Sequence, residues 1–346
     1  MSSSGFMDLI TLSDLAYKLT LSRDDLIALS ERDESDAYHR FKLKKKRGGY
    51  RILQAPDAQL LAAQQRINYW LTTEIKEYAS QFAHGFMPER SIVTNAQEHL
   101  GKAWVLNMDL ENFFGSFGYE QVKQLFLSAP FEFDTPVAEY AAKLCTSSEG
   151  LPQGAPTSPS LSNWLMRELD GQLLALARKH KLSYTRYADD ITFSSNRSIP
   201  GELLRKDLKT GAWQLSDQLH QLFAEHGLKV NPRKTRLQTQ HQRQEVTGLT
   251  VNQRINVDRR YVRNLRGMIH AYKKYGYFAV MKYNKTLVDD ASGSSNDIQH
   301  FLSVIAGKLG FIAMVKGQFD PVVMKLKEDF EQAKTARKTL LENRDN

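Results

Sequence analysis

Asp189 and Asp190 stand side by side between two short β-patterned runs, Tyr184-Thr185-Arg186-Tyr187 before them and Ile191-Thr192-Phe193 after. Adjacent carboxylates repel one another and resist burial unless a cation or a proton compensates. A third acid, Asp109, closes another apolar run, Trp104-Val105-Leu106-Asn107-Met108. If these runs are neighbouring strands, the three carboxylates meet. Such a set suits two metal ions about 4 Å apart, one serving the attacking and one the leaving oxygen of a phosphoryl transfer. Hard oxygen donors and phosphate chemistry favour Mg²⁺, with Mn²⁺ as the alternative ion. An Asp-Asp pair by itself is an ordinary β-turn; its place between apolar strands is what points to chemistry.

Around these acids, strands and helices intermix without strict alternation, which predicts an α+β fold with helices packed on one face of a sheet. Two short helical patterns fall within 7–35, and Tyr38–Leu53 reads as a basic hairpin turning at Gly48 and Gly49. Helical spacing then predicts helices over Asp57–Tyr78, Ile92–Leu100, 119–128, 135–145, Leu161–His180 and 201–226. A strand is expected at Leu228–Val230 and a hairpin at 236–256. From Tyr261 onward the pattern is helical, broken by the polar stretch Asp289–Asn296.

The charge is concentrated. Up to Gln253 there are 30 Lys and Arg against 29 Asp and Glu, and from Arg254 onward 17 against 10. A second basic cluster, Arg40, Lys42, Lys44, Lys45, Lys46, Arg47 and Arg51, lies near the start. Two basic regions flanking a neutral middle fit a nucleic-acid groove, because phosphate contacts supply sequence-independent affinity; solvated charged helices are the plain alternative. Apolar stretches such as Phe311–Val315 and Phe278–Met281 fall short of the roughly 18 residues a spanning helix needs, so no membrane segment is predicted. The start, MSSSGFMDLI, lacks the pattern of a secretory signal. The single cysteine, Cys145, reads as a small buried apolar residue of a protein in a reducing cytoplasm.

Six ordered motifs resemble those of reverse transcriptases. Asp109-Leu110-Glu111-Asn112-Phe113-Phe114 is similar to the first palm motif, Tyr187-Ala188-Asp189-Asp190 to the Y-A-D-D box, and Leu151-Pro152-Gln153-Gly154-Ala155-Pro156-Thr157-Ser158-Pro159 to the loop between them. Lys44-Lys45-Lys46-Arg47-Gly48-Gly49-Tyr50-Arg51-Ile52 resembles the fingers hairpin, His84-Gly85-Phe86-Met87-Pro88-Glu89-Arg90-Ser91 a second fingers motif, and Gly227 through Thr235 the motif after the palm helix. Asn95-Ala96-Gln97-Glu98-His99 and Val246-Thr247-Gly248 match the N-A-x-x-H and V-T-G signatures of retron enzymes.

The resemblance implies roles. Asp109, Asp189 and Asp190 are the catalytic metal ligands. Lys45 and Arg51 hold the triphosphate, with Lys44 and Lys46 as alternatives to Lys45. Phe114 rejects a 2′-hydroxyl on the incoming nucleotide, while Phe113 reads as core. Gln153 and Gly154 line the nucleotide pocket, Tyr187 packs under the primer end, and Lys234, or Lys229, protonates the leaving pyrophosphate. RNA recognition falls to Asn95, His99, Val246, Thr247 and Gly248, with positioning of the priming nucleotide as the alternative for the His99 segment, and to Arg259, Arg260, Arg263 and Arg266, with Tyr261, Tyr272, Tyr275 and Tyr277 interleaved among the basic residues.

The fold implied is a right-hand polymerase with an antiparallel palm sheet and a helical thumb. Its divisions are an N-terminal helical extension over 1–37, fingers over 38–102, a palm over 103–255 with an insertion near 119–160, and a basic helical thumb over 256–346. The function implied is that of a retron: RNA-templated synthesis from dNTPs, primed from the 2′-hydroxyl of an internal guanosine in a structured non-coding RNA, giving branched RNA-DNA (msDNA). A separate effector protein, a role in anti-phage defence, host RNase H for template removal and a bacterial cytoplasmic location are further expectations of the resemblance. Other bacterial reverse transcriptases, of group II introns or diversity-generating elements, and an RNA-binding scaffold subunit are the competing readings.

Overall fold

The computed structural model describes residues 11–45, 48–73, 81–207, 211–276 and 295–342. Residues 1–10, Lys46, Arg47, the expected helix end at 74–78, Tyr277, Phe278–Met281 and the stretch 289–294 lie outside the described residues. The chain divides into two compact units, Met1–Gln242 and Arg243–Asn346.

In the first unit, α1 (Leu12–Leu19) opens with a reciprocal cap between Thr11 and Asp14 and buries Leu15, Ala16 and Leu19. Helices α2 (Arg23–Ser30) and α3 (Glu34–Ala37) follow. The expected basic hairpin is present as β1 (Tyr38–Lys44) and β2 (Tyr50–Pro56), paired antiparallel from Tyr38↔Pro56 to Lys44↔Tyr50. Next come α4 (Ala58–Thr73) and α5 (Ile92–Gln97).

The central sheet has four strands, all antiparallel, in the order β4 (Ser183–Tyr187), β5 (Asp190–Ser195), β3 (Trp104–Asp109), β8 (Arg236–Thr239). Its apolar face packs into a core shared with α6 (Tyr119–Leu127), α7 (Thr135–Cys145), α8 (Thr157–Leu165) and α9 (Arg167–His180). The fully buried Cys145 belongs to this core, as expected.

Four expected elements differ. The strand at Leu228–Val230 is reduced to a single bridge between Val230 and Leu110. The single helix over Leu161–His180 is interrupted at Met166, giving α8 and α9. The long helix over 201–226 is instead a small hairpin, β6 (Leu204–Lys206) with β7 (Trp213–Leu215), followed by α10 (Asp217–Glu225). Gly211, in the left-handed region at φ +69, and Ser216, whose hydroxyl accepts from Leu219 N, supply the turn and the helix cap that end any continuous helix. The expected hairpin over 236–256 is split, because β8 pairs with β3 rather than with its chain neighbour.

The second unit starts ahead of the expected thumb boundary. The short hairpin β9 (Glu245–Val246) and β10 (Leu249–Thr250) belongs to it, and Val246, Leu249 and Val251 are fully buried. Its helices are α11 (Arg259–Tyr275), α12 (Ser295–Lys316) and α13 (Pro321–Glu342). Against the sequence reading, one helical stretch, Ile298–Lys316, is long and apolar enough by length and composition to cross a membrane. Its Phe301, Ile305 and Ile312 are fully buried in this unit, which is also how the core helix of a folded domain uses an apolar stripe.

Candidate active site

Asp109 and Asp190 are cross-strand partners, one ending β3 and the other beginning β5. Side chains alternate along a strand. Leu106 and Met108 therefore point with Phe193 and Ile191 into the helix-covered core, while Asn107 and Asp109 share the opposite face with Thr192 and Asp190. That face is polar: Asn107 accepts from Thr192 Oγ1 and donates to Gln238, both at 3.3 Å. Asp189 lies in the two-residue turn with Ala188 that joins β4 to β5, and its carbonyl accepts from Leu110 N at 3.0 Å. The expected convergence of three acids thus follows from register.

The site is short of positive charge. The Asp189 carboxyl is raised above its ordinary value by the protein packed around it and then by Asp109, with Lys234 and Arg51 opposing. Asp190 is pushed up to about 7, first by loss of water and then by the like charges of Asp189 and Asp109. Asp190 keeps an exposed side, so solvent partly relieves both its dehydration and the repulsion from its neighbours.

Asp109 is answered by Lys234, whose Nζ donates to both carboxylate oxygens at 2.8 Å. Asn231 N donates to the Asp109 carbonyl at 2.7 Å and Val230 bridges to Leu110, which fixes the turn carrying Lys234 beside β3. Lys229 meets this strand end through its backbone carbonyl, which accepts from Glu111 N. Among the described residues no three His, Cys, Asp or Glu side chains close into a ready-made metal cage. The donor set nevertheless fits divalent ions: hard oxygens, two carboxyls raised by crowding, and an ammonium already standing in for a cation at Asp109.

Phe113 is core, as expected, and Phe114 is half-buried, its ring 5.3 Å from that of Phe113 and 6.2 Å from that of Phe86. Tyr187, half-buried, pairs with Asp190 and lies on the same face of the sheet. Arg51 is exposed on the hairpin opposite Leu43, and its charge reaches Asp189. Lys45 is exposed at the hairpin end, its N–H donating to the Gly49 carbonyl. Gly154, expected to line the nucleotide pocket, also lets the loop approach β2. At its φ of +126 an added Cβ would lie 2.9 Å from the Gln54 carbonyl oxygen, and Gln54 N donates to the Gln153 carbonyl at 2.8 Å.

Asn95 and His99, expected to serve RNA recognition, are both buried. His99 is fully buried, with one ring nitrogen 2.7 Å from the Ser194 hydroxyl and the other 2.7 Å from that of Thr185, and burial lowers its pKa to about 3. Asn95 is 1% exposed. His99, just beyond the end of α5, ties that segment to the polar face of the sheet, whereas the Asn95 side chain is buried with neither its oxygen nor its nitrogen hydrogen-bonded. Val246 is buried as well, whereas Thr247 and Gly248 form the turn of their hairpin with φ +46 and +82. On α11, Arg259, Arg263, Arg266 and Lys273 recur at spacings of three, four or seven on an exposed side, opposite the buried Leu265, Met268, Ile269 and Tyr272. Arg260 is exposed too.

Sequence reading missed the support beneath the turn: Gly85, Asn163, Asp170 and Arg186. The available signal was alternation, since a guanidinium at position 186 falls on the apolar side of β4 with Tyr184.

The chain matches the family described as reverse transcriptase (RNA-dependent DNA polymerase) over residues 43–251. Among curated proteins, the retron Mx65 reverse transcriptase of Myxococcus xanthus is 38% identical over 251 residues, covering 67% of this chain and 55% of that protein. The retron Mx162 reverse transcriptase of the same organism is 34% identical over 299 residues, covering 79% and 61%. The matches therefore span less than two thirds of the length of either relative. Among solved structures, apo telomerase from Candida tropicalis is matched with a TM-score of 0.44 at 11% identity, over 87% of this chain and 63% of that one.

Proposed function

The chain belongs to the reverse transcriptase family, and from that premise we propose that it is the RNA-directed DNA polymerase of a retron. The observation that carries the polymerase reading is the register pairing Asp109 with Asp190 beside the Asp189 turn. It sets Asp109 and Asp190 on one polar face, beside Asp189, which feels the charges of both Asp109 and Arg51. The retron reading is supported by the two retron relatives and by the Asn95-to-His99 and Val246-to-Gly248 signatures.

In this proposal Asp109, Asp189 and Asp190 hold two divalent ions, Mg²⁺ in the cell. When bound, these ions supply positive charge for the attacking and leaving oxygens. The chain's own groups do the rest. Arg51 and Lys45 draw in the triphosphate and offset charge on the departing pyrophosphate. Lys234 is placed to give it a proton once it leaves Asp109. Phe114 fills the space a ribose 2′-hydroxyl would need. The basic side of α11 grips phosphates of the RNA and the growing duplex. The template and primer are a structured non-coding RNA whose internal guanosine 2′-hydroxyl starts the chain, and msDNA is the product. A separate effector, anti-phage defence, a cytoplasmic location and template removal by host RNase H complete the reading.

The test is purification from cells carrying the native locus, with co-purifying nucleic acid treated separately with RNase and DNase. A molecule sensitive to both, and lost when the adjacent non-coding RNA is deleted, is expected. A nucleic-acid-free protein that extends any primed RNA would overturn the retron part, and failure to extend any primer would overturn the polymerase itself.

A further inference from the structure

Arg186 is an anomaly in its strand. It lies on the apolar side of β4 and is fully buried, one of the largest side chains in the protein with no solvent access. A buried guanidinium is tolerable only when its charge and its donors are met. Asp170 of α9, 2% exposed, accepts from Nε at 2.8 Å and from Nη2 at 2.7 Å. The same carboxylate accepts from the Tyr184 hydroxyl at 2.6 Å. The remaining nitrogen, Nη1, donates to Asn163 Oδ1 at 3.0 Å and to the Ala188 carbonyl at 3.3 Å.

That last bond leads to the catalytic turn. Ala188 has a φ of +55, a left-handed conformation that a residue with a Cβ adopts at a cost and keeps only when its surroundings impose it. The surroundings are closely drawn. Gly85 packs so near that an added Cβ would stand 2.5 Å from Ala188 N. The Gly85 carbonyl accepts from Asn163 Nδ2 at 3.0 Å, closing the circuit back to Arg186. The backbone of Arg186 is pinned on both sides, its N–H donating to Phe82 O at 3.0 Å and its carbonyl accepting from His84 N at 2.7 Å. One guanidinium thus joins the palm helix, the fingers segment and the turn that aims Asp189 and Asp190.

Buried ion pairs are often no better for stability than apolar residues of similar volume, so stability alone is a weak reason for this one. Resting on the polymerase reading above, we propose that Arg186 and Asp170 are positioning residues for DNA synthesis, holding the Ala188-Asp189 turn so that the Asp189 and Asp190 carboxylates meet Asp109 in the geometry that binds divalent cations.

The experiment uses two variants of the full chain. Arg186→Lys keeps the charge opposite Asp170 but loses the planar fork and its reach to Asn163 and Ala188. Arg186→Met with Asp170→Val removes both charges and restores an apolar interior. Three quantities are read for each: the thermal midpoint, kcat and KM for dNTP on a primed RNA, and Mn²⁺ binding to the protein alone by electron paramagnetic resonance. The double variant is expected to stay folded with a lowered thermal midpoint, because the buried Tyr184 hydroxyl and Asn163 oxygen lose their Asp170 and Arg186 partners. Both variants should lose about 10²-fold in kcat, as a misplacement near 1 Å costs, with KM for dNTP unchanged. Mn²⁺ affinity should fall about tenfold, as losing the support behind metal ligands does. A folded variant with the wild-type kcat and Mn²⁺ affinity overturns the proposal. So does a loss of activity that only tracks a lowered thermal midpoint while Mn²⁺ affinity per folded molecule stays the same. A wild-type protein that extends no primer would instead remove the polymerase reading, and the Mn²⁺ measurement would still judge the role of the pair.

Discussion

Lys234 Nζ sits 2.8 Å from each carboxylate oxygen of Asp109, so a lysine ammonium takes the place where a catalytic cation would neutralise that acid. The lysine is half-exposed on a turn, while Asp109 is nearly covered. The ion pair can open toward solvent without repacking the core.

Removing that ammonium should therefore separate cation binding from turnover. Lys234→Met is expected to bind Mn²⁺ more tightly than the wild type in a resonance titration, because the competing charge is gone. Its kcat should nevertheless fall by about 10²-fold or more, the range for loss of a proton donor. Unchanged Mn²⁺ affinity would show that Lys234 and the cation do not compete for Asp109.

The paired substitution Asp189→Asn with Asp190→Asn should abolish primer extension and leave RNA binding, followed by filter retention, intact. Both carboxyls are raised by crowding and like charge. Neutral amides relieve that repulsion, so the metal-free thermal midpoint at pH 8 should rise. Undiminished synthesis would sink the metal assignment.

Phe114→Val removes the half-buried ring that rests against Phe86 and Phe113, the ring proposed to close the nucleotide pocket. Ribonucleotide incorporation relative to deoxynucleotide should increase about tenfold or more, since the discrimination expected here is steric exclusion rather than a lost hydrogen bond. Competition assays with matched rNTP and dNTP read it directly. An unchanged ratio would return Phe114 to a packing role.

His99 makes the fold sensitive to acid. Burial, then the nearby charges of Lys102 and His84, holds its pKa at about 3 rather than 6.5. Between those values the unfolded chain binds a proton that the folded one refuses, so stability is lost as pH falls from about 6.5 toward 3. The slope is about 1.4 kcal/mol per pH unit for one group. His99→Gln should show a smaller drop in thermal midpoint than the wild type between pH 7.5 and pH 5. An identical drop would mean that His99 is already protonated in the fold.

The acids were legible because their signal is local. Leu106 to Asp109 and Asp190 to Ser194 alternate apolar and polar residues, and alternation decides which residues share a face once strands pair. The β1–β2 hairpin was legible for the same reason, its two glycines marking the turn at φ +90 and +76. The stretch 201–226 misled because helical spacing was carried across Gly211 and Ser216, which are turn and cap residues. The pairing of β8 with β3 was hidden because Asn107 and Arg236 are far apart in the chain, and nothing in a short apolar run names its partner.

By itself, then, the sequence determined which residues could be proposed to carry the chemistry and which stretches could become strands: carboxylates between apolar runs, a basic hairpin, a basic helical end. Tertiary structure alone decided that His99 is buried between Ser194 and Thr185, that Gly154 lies against Gln54, and that Arg186 beneath the turn is answered by Asp170. The physical reason is common to all three. A polar or permissive residue has a meaning set by the partner that meets it, and that partner is supplied by packing between distant segments rather than by periodicity within one.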